Sequence, residues 1–140
     1  MNDSHSKWKT SELAETFLQG VRGAIPAASL QLEVLGKIVS MWRPAPSEVL
    51  DLGCGDGILG CTLLDAHAAA HVTFADFSEP MLEAARKQIG YNKKATIIKA
   101  DFGTPDWMRK LCKTGMYPFV HLVSISIIAP FLKTSSNFFN

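Results

Sequence analysis

Three aspartates and one run of glycines are the residues of this 140-residue chain whose types and spacing suit chemistry. Asp51, Asp76 and Asp101 each stand at or near the end of a short apolar run. Four glycines lie within residues 53–60, which we call the glycine loop. Glycines let the backbone turn sharply and let a ligand approach closely, and a helix that opens after them directs free N–H groups at an anion. The glycine loop is therefore predicted to hold a phosphate or a carboxylate.

The elements that must position these residues alternate between strand-like and helix-like patterns. Apolar runs predict four strands, at residues 49–52, 71–75, 96–99 and 119–124. Segments with helical spacing separate these runs. The alternation predicts an α/β, Rossmann-like doubly wound parallel sheet, of which the chain holds only the first four strands. Ligands of such sheets bind beyond the carboxyl ends of the strands, which is where all three aspartates are expected.

The chain before the first strand is predicted to be helical. Amphipathic patterns run over residues 11–21 and 30–42, and the proline-rich joint Arg43-Pro44-Ala45-Pro46 ends the second of them. We take this joint as the boundary between an N-terminal helical cap and the main fold. The predicted divisions are the helical cap at residues 1–45, a partial Rossmann-like domain at residues 46–124 and an apolar tail at residues 125–140.

Composition argues against several classes of function. Fourteen basic against thirteen acidic residues give a net charge of +1, and nucleic-acid binding gains no support because phosphate contacts need a basic face. The three cysteines form no CxxC pair, so no metal site is predicted and a reduced, cytoplasmic protein is expected. The longest apolar run, residues 119–132, is short for a membrane span. Asp56, His67 and His71 are expected to face water.

Two glycine patterns overlap in the loop and predict different ligands. The pattern G-x-G-x-x-G at residues 55–60 fits a dinucleotide site, with Asp76 downstream to bind a ribose. The pattern D-x-G-x-G-x-G at residues 51–57 begins one glycine earlier and places an acidic residue at the strand end. The dinucleotide pattern leaves Asp51 and Asp101 without roles, whereas the second pattern uses both of them.

Three segments together resemble one family, the class I S-adenosylmethionine-dependent methyltransferases. Residues 49–57, with the sequence VLDLGCGDG, resemble its motif I, and residues 74–85 and 99–102 resemble the segments at its second and third strands. Their order and spacing agree with the family over roughly residues 46–124. A segment that begins at Arg22 is similar to the helical cap that many members fold over the cofactor.

The resemblance implies S-adenosyl-L-methionine as the cofactor and a role for each matching residue. Asp51 would hold its amino group, Asp76 would accept from both ribose hydroxyls, and Asp101 would accept from the adenine amino group. The other residues implied at the cofactor are Arg22, Gly53, Cys54, Gly55, Gly57, Phe77, Met81 and Phe102. Each aspartate also has a structural alternative, because Asp51 could cap the turn, Asp76 could cap the next helix and Asp101 could be a loop residue.

The implied reaction is methyl transfer from S-adenosylmethionine to an acceptor, with a small molecule favoured over a nucleic acid. No catalytic residue is implied, because Val120 stands where the family usually has an acidic residue. Fewer strands than the family's complete sheet predict a C-terminally truncated form, with self-association through an open sheet edge or the apolar tail. Two alternatives stay open, namely a non-catalytic remnant that binds the cofactor or a partner, and an NAD-dependent oxidoreductase.

Overall fold

The computed structural model describes residues 28–112 and 122–125, together with position 16. Helices and strands alternate along these residues. They are α1 (Ala28–Trp42), β1 (Glu48–Leu52), α2 (Ile58–Ala66), β2 (His71–Asp76), α3 (Glu79–Ile89), β3 (Ala95–Lys99), α4 (Trp107–Cys112) and β4 (Leu122–Ile125). The rest of the predicted helix at residues 11–21 and most of the predicted tail lie outside the described residues.

The four strands form one parallel sheet in the order β3-β2-β1-β4. Asp51 of β1 is in register with Phe74 of β2 and with Ser124 of β4. The strand order reverses beside β1, because β2 and β3 continue to one side and β4 returns to the other. The sheet confirms the predicted α/β, doubly wound fold. Its order places the expected ligand-binding edge at the carboxyl end of β1, where the reversal occurs.

Two clusters of buried side chains lie on the two faces of the sheet. Successive strand residues point to opposite faces, and accordingly Val49 belongs to one cluster and Leu50 to the other. The helices contribute Val39 of α1, Leu63 of α2 and Leu82 of α3 to the first cluster and Leu111 of α4 to the second. Helices therefore cover both faces of the sheet, as a doubly wound fold requires.

Helix α1 ends at the proline-rich joint, as predicted, because proline cannot continue a helix. Leu35 and Val39 form its inner side and pack in the first cluster. A second apolar row is exposed and consists of Leu30, Val34, Ile38, Met41 and Trp42. The division of the chain into cap, domain and tail stays a prediction. Within residues 28–112 and 122–125, no helix combines the length and the apolar composition that crossing a membrane requires.

Helix α2 packs closely on β2 because it carries a glycine at the contact. A Cβ atom at Gly60 would lie 2.7 Å from Cζ and 2.9 Å from Cδ1 of the buried Phe74 ring. Gly57, which precedes the helix, has a φ of 82°, and a Cβ atom there would lie 3.3 Å from Ala85 of α3. These two close approaches hold the start of α2 against β2 and α3.

Candidate functional site

The glycine loop is fastened to the end of β2 by backbone hydrogen bonds. The N–H groups of Gly53 and Cys54 both donate to the carbonyl oxygen of Ala75, at 2.7 and 3.1 Å. From the side of β3, the Ala100 N–H donates to the carbonyl oxygen of Asp76 at 2.9 Å. The ends of β1, β2 and β3 therefore meet at one edge, which is the edge where the sequence predicts the three aspartates.

Asp76 joins the glycine loop to the start of α3. The residue is only 6% exposed, and its Oδ2 accepts a hydrogen bond from the Gly55 N–H at 2.9 Å. Its Oδ1 accepts a second hydrogen bond, from the Ser78 N–H at 2.8 Å. Burial raises the pKa of this carboxyl, while backbone hydrogen bonds from Ser78, Gly55 and Phe77 oppose that rise. The Ser78 contact is the helix-start contact that the structural alternative for Asp76 predicts.

Asp51 lies deeper in the site than Asp76. The residue is fully buried, and its Oδ2 accepts a hydrogen bond from the Gly60 N–H at 3.0 Å. Gly60 is in the first turn of α2, where backbone N–H groups have no acceptor within the helix. Asp51 therefore caps α2 from the adjacent strand, as its structural alternative predicts, and its contact with a cofactor stays a prediction.

The backbone of the glycine loop is left-handed at three positions. Gly53, Gly55 and Gly57 have φ angles of 67°, 56° and 82°, a region that other residues adopt only with strain. At Gly55, none of the described atoms lies within 4 Å of the place where a Cβ atom would stand. The missing side chain of Gly55 therefore leaves open space beside the loop, and a ligand can approach the peptide there.

The Cys54 thiol is close enough to three carboxylates for their charges to affect its pKa. Burial and then the negative charges of Asp51, Asp76 and Asp56 raise the pKa of this thiol far above its usual range. Burial and nearby carboxylates also raise the pKa of Cys61, to about 11. Both cysteines are therefore protonated at neutral pH and unsuited to act as thiolate nucleophiles. The same charges make the region around the glycine loop favourable for a cation.

A tight turn, residues 101–104, follows β3, and we call it the β3 turn. Asp101 is half-buried, and its Oδ1 accepts a hydrogen bond from the Gly103 N–H at 3.0 Å. The N–H and Oγ1 of Thr104 both donate to the Asp101 carbonyl oxygen, at 3.0 and 2.8 Å. The Phe102 ring lies edge-to-face against the Trp107 ring, with centroids 5.4 Å apart. Asp101 thus shapes the turn, as its loop alternative predicts.

The other two predicted side chains at the start of α3, Phe77 and Met81, differ in exposure. Phe77 directly follows Asp76 and is half-buried, whereas Met81 in the first turn of α3 is 3% exposed. Met81 therefore offers little surface to a ligand without some movement of its neighbours. Arg22 and Val120 lie outside the described residues.

Two predictions of solvent exposure are wrong. Asp56 is 5% exposed and its Oδ1 lies 3.4 Å from the Ile58 N–H, because the left-handed glycines on either side turn its side chain towards the start of α2. His67 is 7% exposed, and its Nε2 lies 3.4 Å from Ser40 Oγ of α1. The sequence analysis therefore missed Asp56 as a buried acidic residue of the glycine loop. Its position between Gly55 and Gly57 is the sequence feature that could have indicated this burial.

A family comparison identifies the class of protein. A family model described as a methyltransferase domain matches residues 49–126, which is more than half of the chain. The chain belongs to this methyltransferase family. The match contains β1 to β4 and all three aspartates of the site, and it confirms the resemblance to the class I S-adenosylmethionine-dependent methyltransferases.

Known methyltransferases resemble parts of the chain in sequence and in fold. The malonyl-[acyl-carrier protein] O-methyltransferase of Legionella pneumophila is 30% identical over 94 residues, which are 65% of this chain and 33% of that protein. The chain therefore spans about a third of the length of this curated relative. The S-adenosylmethionine-dependent methyltransferase SibL superposes with a TM-score of 0.50 and 31% identity, over 62% of this chain and 25% of SibL. Streptomyces venezuelae DesVI has the same fold. It superposes with a TM-score of 0.51 and 23% identity, over 63% of this chain and 35% of DesVI.

Proposed function

We propose that this methyltransferase chain binds S-adenosylmethionine at the carboxyl ends of β1, β2 and β3. The observation that carries the proposal is the convergence of Asp51, Asp56 and Asp76 on the glycine loop, beside the open space at Gly55. S-adenosylmethionine carries an ammonium group and a sulfonium group, and a site with several buried carboxylates favours both cations. The fully buried Asp51 acts on the ligand mainly through its charge.

Asp76 and the β3 turn would hold the nucleoside. A carboxylate only accepts and offers about four acceptor positions, and the backbone hydrogen bonds from Gly55, Ser78 and Phe77 leave Asp76 part of that capacity for the ribose hydroxyls. Asp101 would accept from the adenine amino group, with the Phe102 N–H nearby. Phe77 and Met81 would lie against the adenine, and Arg22 would approach from the N-terminal segment.

Bound S-adenosylmethionine supplies a methyl group on a sulfonium, which is already activated for displacement. The contribution of the chain is to fix the ligand in one orientation and to exclude water, which lowers the barrier by proximity and orientation. We propose a small-molecule acceptor, because the net charge of +1 provides no excess of basic groups for a nucleic acid. Self-association through a sheet edge or the apolar tail, which the sequence predicts, is a further part of this proposal.

Thermal unfolding with added ligands tests this function. Each of S-adenosylmethionine, S-adenosylhomocysteine and NADH is added at about a hundred times its expected Kd, where a ligand stabilises by roughly 2.7 kcal/mol and raises Tm by several degrees. We expect both sulfur compounds to raise Tm and NADH to leave it unchanged. Asp76→Asn should abolish the shift, and Asp65→Asn, which removes the same charge from an exposed position on α2, should retain it.

The outcomes separate the alternatives. A shift with NADH alone would favour the oxidoreductase, and cooperative unfolding with no shift for any ligand would contradict the proposed site. Binding of S-adenosylhomocysteine without methyl transfer to any member of an acceptor panel would support the non-catalytic alternative.

A further inference from the structure

Trp107 lies beside the β3 turn and is not among the residues proposed to contact S-adenosylmethionine. It is the first residue of α4 and is half-buried. Its ring packs edge-to-face on Phe102, with an interplanar angle of 87° and a centroid distance of 5.4 Å. This separation and this angle are those of a favourable aromatic pair. Trp107 is therefore in direct contact with the β3 turn, which carries Asp101 and Phe102.

Helix α4 depends on packing for its stability. It has only six residues, and a helix this short does not persist alone in water. The ion pair between Arg109 and Asp106 is exposed on both sides, so it adds little. Leu111 and Trp107 are the α4 residues that join the second core cluster, together with Phe102. The position of α4 and the position of the Phe102 ring are thus fixed by the same contacts.

Hydrogen bonds within the β3 turn define its shape but not its direction. The bonds from Gly103 and Thr104 to Asp101 all lie within residues 101–104. Ala100, directly before the turn, is fully buried, and its N–H donates to the Asp76 carbonyl oxygen, so the turn starts from a fixed point. Phe102 packs against the second core cluster and edge-to-face against the Trp107 ring, so Trp107 is one of the contacts that set the direction of the turn.

We propose that Trp107 is a positioning residue that holds the β3 turn in its ligand-binding orientation by packing against Phe102. This inference rests on the proposed function, in which Asp101 and the Phe102 N–H meet the adenine. If only a fraction of the molecules has the turn in that orientation, the apparent affinity is the intrinsic affinity multiplied by that fraction. Trp107 therefore determines both how tightly the chain binds an adenine nucleoside and how well it recognises the adenine amino group.

Calorimetric titration with S-adenosylhomocysteine tests the inference. Trp107→Leu removes the ring, and we expect the Kd to rise by up to about tenfold, the upper range for an aromatic pair. Trp107→Phe keeps a ring against Phe102, and we expect its Kd to stay within about twofold of the original value. Leu111→Ala is the matched control, because it weakens the same cluster without removing either ring, and it should lower Tm with a smaller change in Kd.

A base-modified ligand separates positioning from general destabilisation. S-inosylhomocysteine has an oxo group in place of the adenine amino group and a proton on N1, so the ratio of its Kd to that of S-adenosylhomocysteine measures recognition of the adenine edge that carries the amino group and N1. We expect Trp107→Leu to reduce this ratio, Trp107→Phe to preserve it and Leu111→Ala to preserve it. If Trp107→Leu does not fold, Trp107→Met replaces it, and the same comparison applies.

The failure of this inference can be told apart from the failure of the proposed function. Unchanged Kd values and an unchanged ratio in Trp107→Leu, with the original chain binding S-adenosylhomocysteine, would overturn the role of Trp107 and leave the function standing. A chain that unfolds cooperatively but binds neither nucleoside would overturn both. A double variant with Phe102→Leu adds a further check, because a residue acting through Phe102 should add little to the loss that Phe102→Leu causes.

Discussion

At the scale of single residues, each aspartate of the site accepts backbone hydrogen bonds that its spacing in the sequence does not disclose. Asp76 accepts from Gly55, Asp51 from Gly60 and Asp101 from Gly103. Replacing any one of them disturbs the local backbone as well as the proposed ligand contact. Gly55 gives a cleaner test of the site, because its open side leaves the surrounding structure untouched by a small added group.

Replacing Gly55 with alanine should weaken ligand binding as well as the fold. The φ angle of 56° imposes a strain of about 1–2 kcal/mol on any residue with a Cβ atom. The new methyl group also projects into the open space beside the loop, where the ligand is proposed to lie. We expect at least a tenfold rise in the Kd for S-adenosylhomocysteine, measured by calorimetric titration, which corresponds to about 1.4 kcal/mol.

Gly90 provides the matched control for this prediction. It also has a positive φ, of 60°, and none of the described atoms lies within 4 Å of the place where its Cβ atom would stand, but it follows α3 at the opposite end from the site. Its ψ of −143° is close to a region that only glycine adopts readily, so Gly90→Ala should lower stability by at least as much and leave the Kd unchanged. Equal losses of affinity in both variants would mean that Gly55 does not face the ligand.

The residues whose exposure was mispredicted show what a single sequence lacks. Asp56 and His67 are polar and follow glycine or precede a turn, which is typical of exposed positions. His67 lies near Ser40 of α1, which is distant in the sequence. Asp56 lies between two glycines with positive φ, a backbone conformation that the exposure pattern does not take into account. The three aspartates were predictable because strand ends in a parallel sheet meet at one edge whatever the details of packing.

At the scale of elements, the sequence predicts where α1 ends better than it predicts how α1 and α2 pack. Apolar residues cover a wide arc of α1, so the pattern alone does not say whether the row with Leu35 or the row with Val34 faces inward. The structure places Leu35 and Val39 in the core and leaves Val34 exposed. For α2 the deciding residue is Gly60, whose place against Phe74 depends on the register of helix and strand.

Replacing Gly60 with alanine should strongly destabilise the fold. The added Cβ atom would stand less than 3 Å from Cζ and Cδ1 of Phe74, and the ring is fully buried and has little room to move. Overpacking of this kind costs about 1–3 kcal/mol, and the separation of α2 from β2 also strains the hydrogen bond from Gly60 to Asp51. Urea unfolding followed by circular dichroism should show a lower midpoint.

Gly36→Ala is the control at the element scale. Gly36 lies within α1 and has open space around it, so alanine there should raise stability by about 0.5–1 kcal/mol through helix propensity alone. Phe74→Leu, which removes the ring that the added Cβ atom would meet, should partly rescue Gly60→Ala. Destabilisation by less than about 0.5 kcal/mol in Gly60→Ala would contradict the close approach of α2 and β2.

At the scale of the whole molecule, the strand order turns three separate sequence motifs into one site. Asp51, Asp76 and Asp101 lie at or just after the carboxyl ends of β1, β2 and β3, which are adjacent in the sheet and run in the same direction. Crossover connections of one hand make this arrangement predictable from alternation alone. The amino ends of the same strands form the opposite edge, where Glu48 and Thr96 both lie near the His71 ring.

Hydrogen exchange should therefore change at one edge of the sheet when ligand binds. With S-adenosylhomocysteine added, we expect slower exchange at the amides of Gly55, Ser78 and Gly103, because each donates to an aspartate of the site. The amides of His71 and Ala95 at the opposite edge, which donate to Ser47 and Asn92, should keep their rates. Short exchange times report local opening, so a general gain in stability will not obscure the contrast. Only binding at the carboxyl ends restrains these three aspartate contacts together. If amide exchange slowed equally at both edges at these times, or only at the opposite edge, the ligand would lie elsewhere and the proposed site would be contradicted.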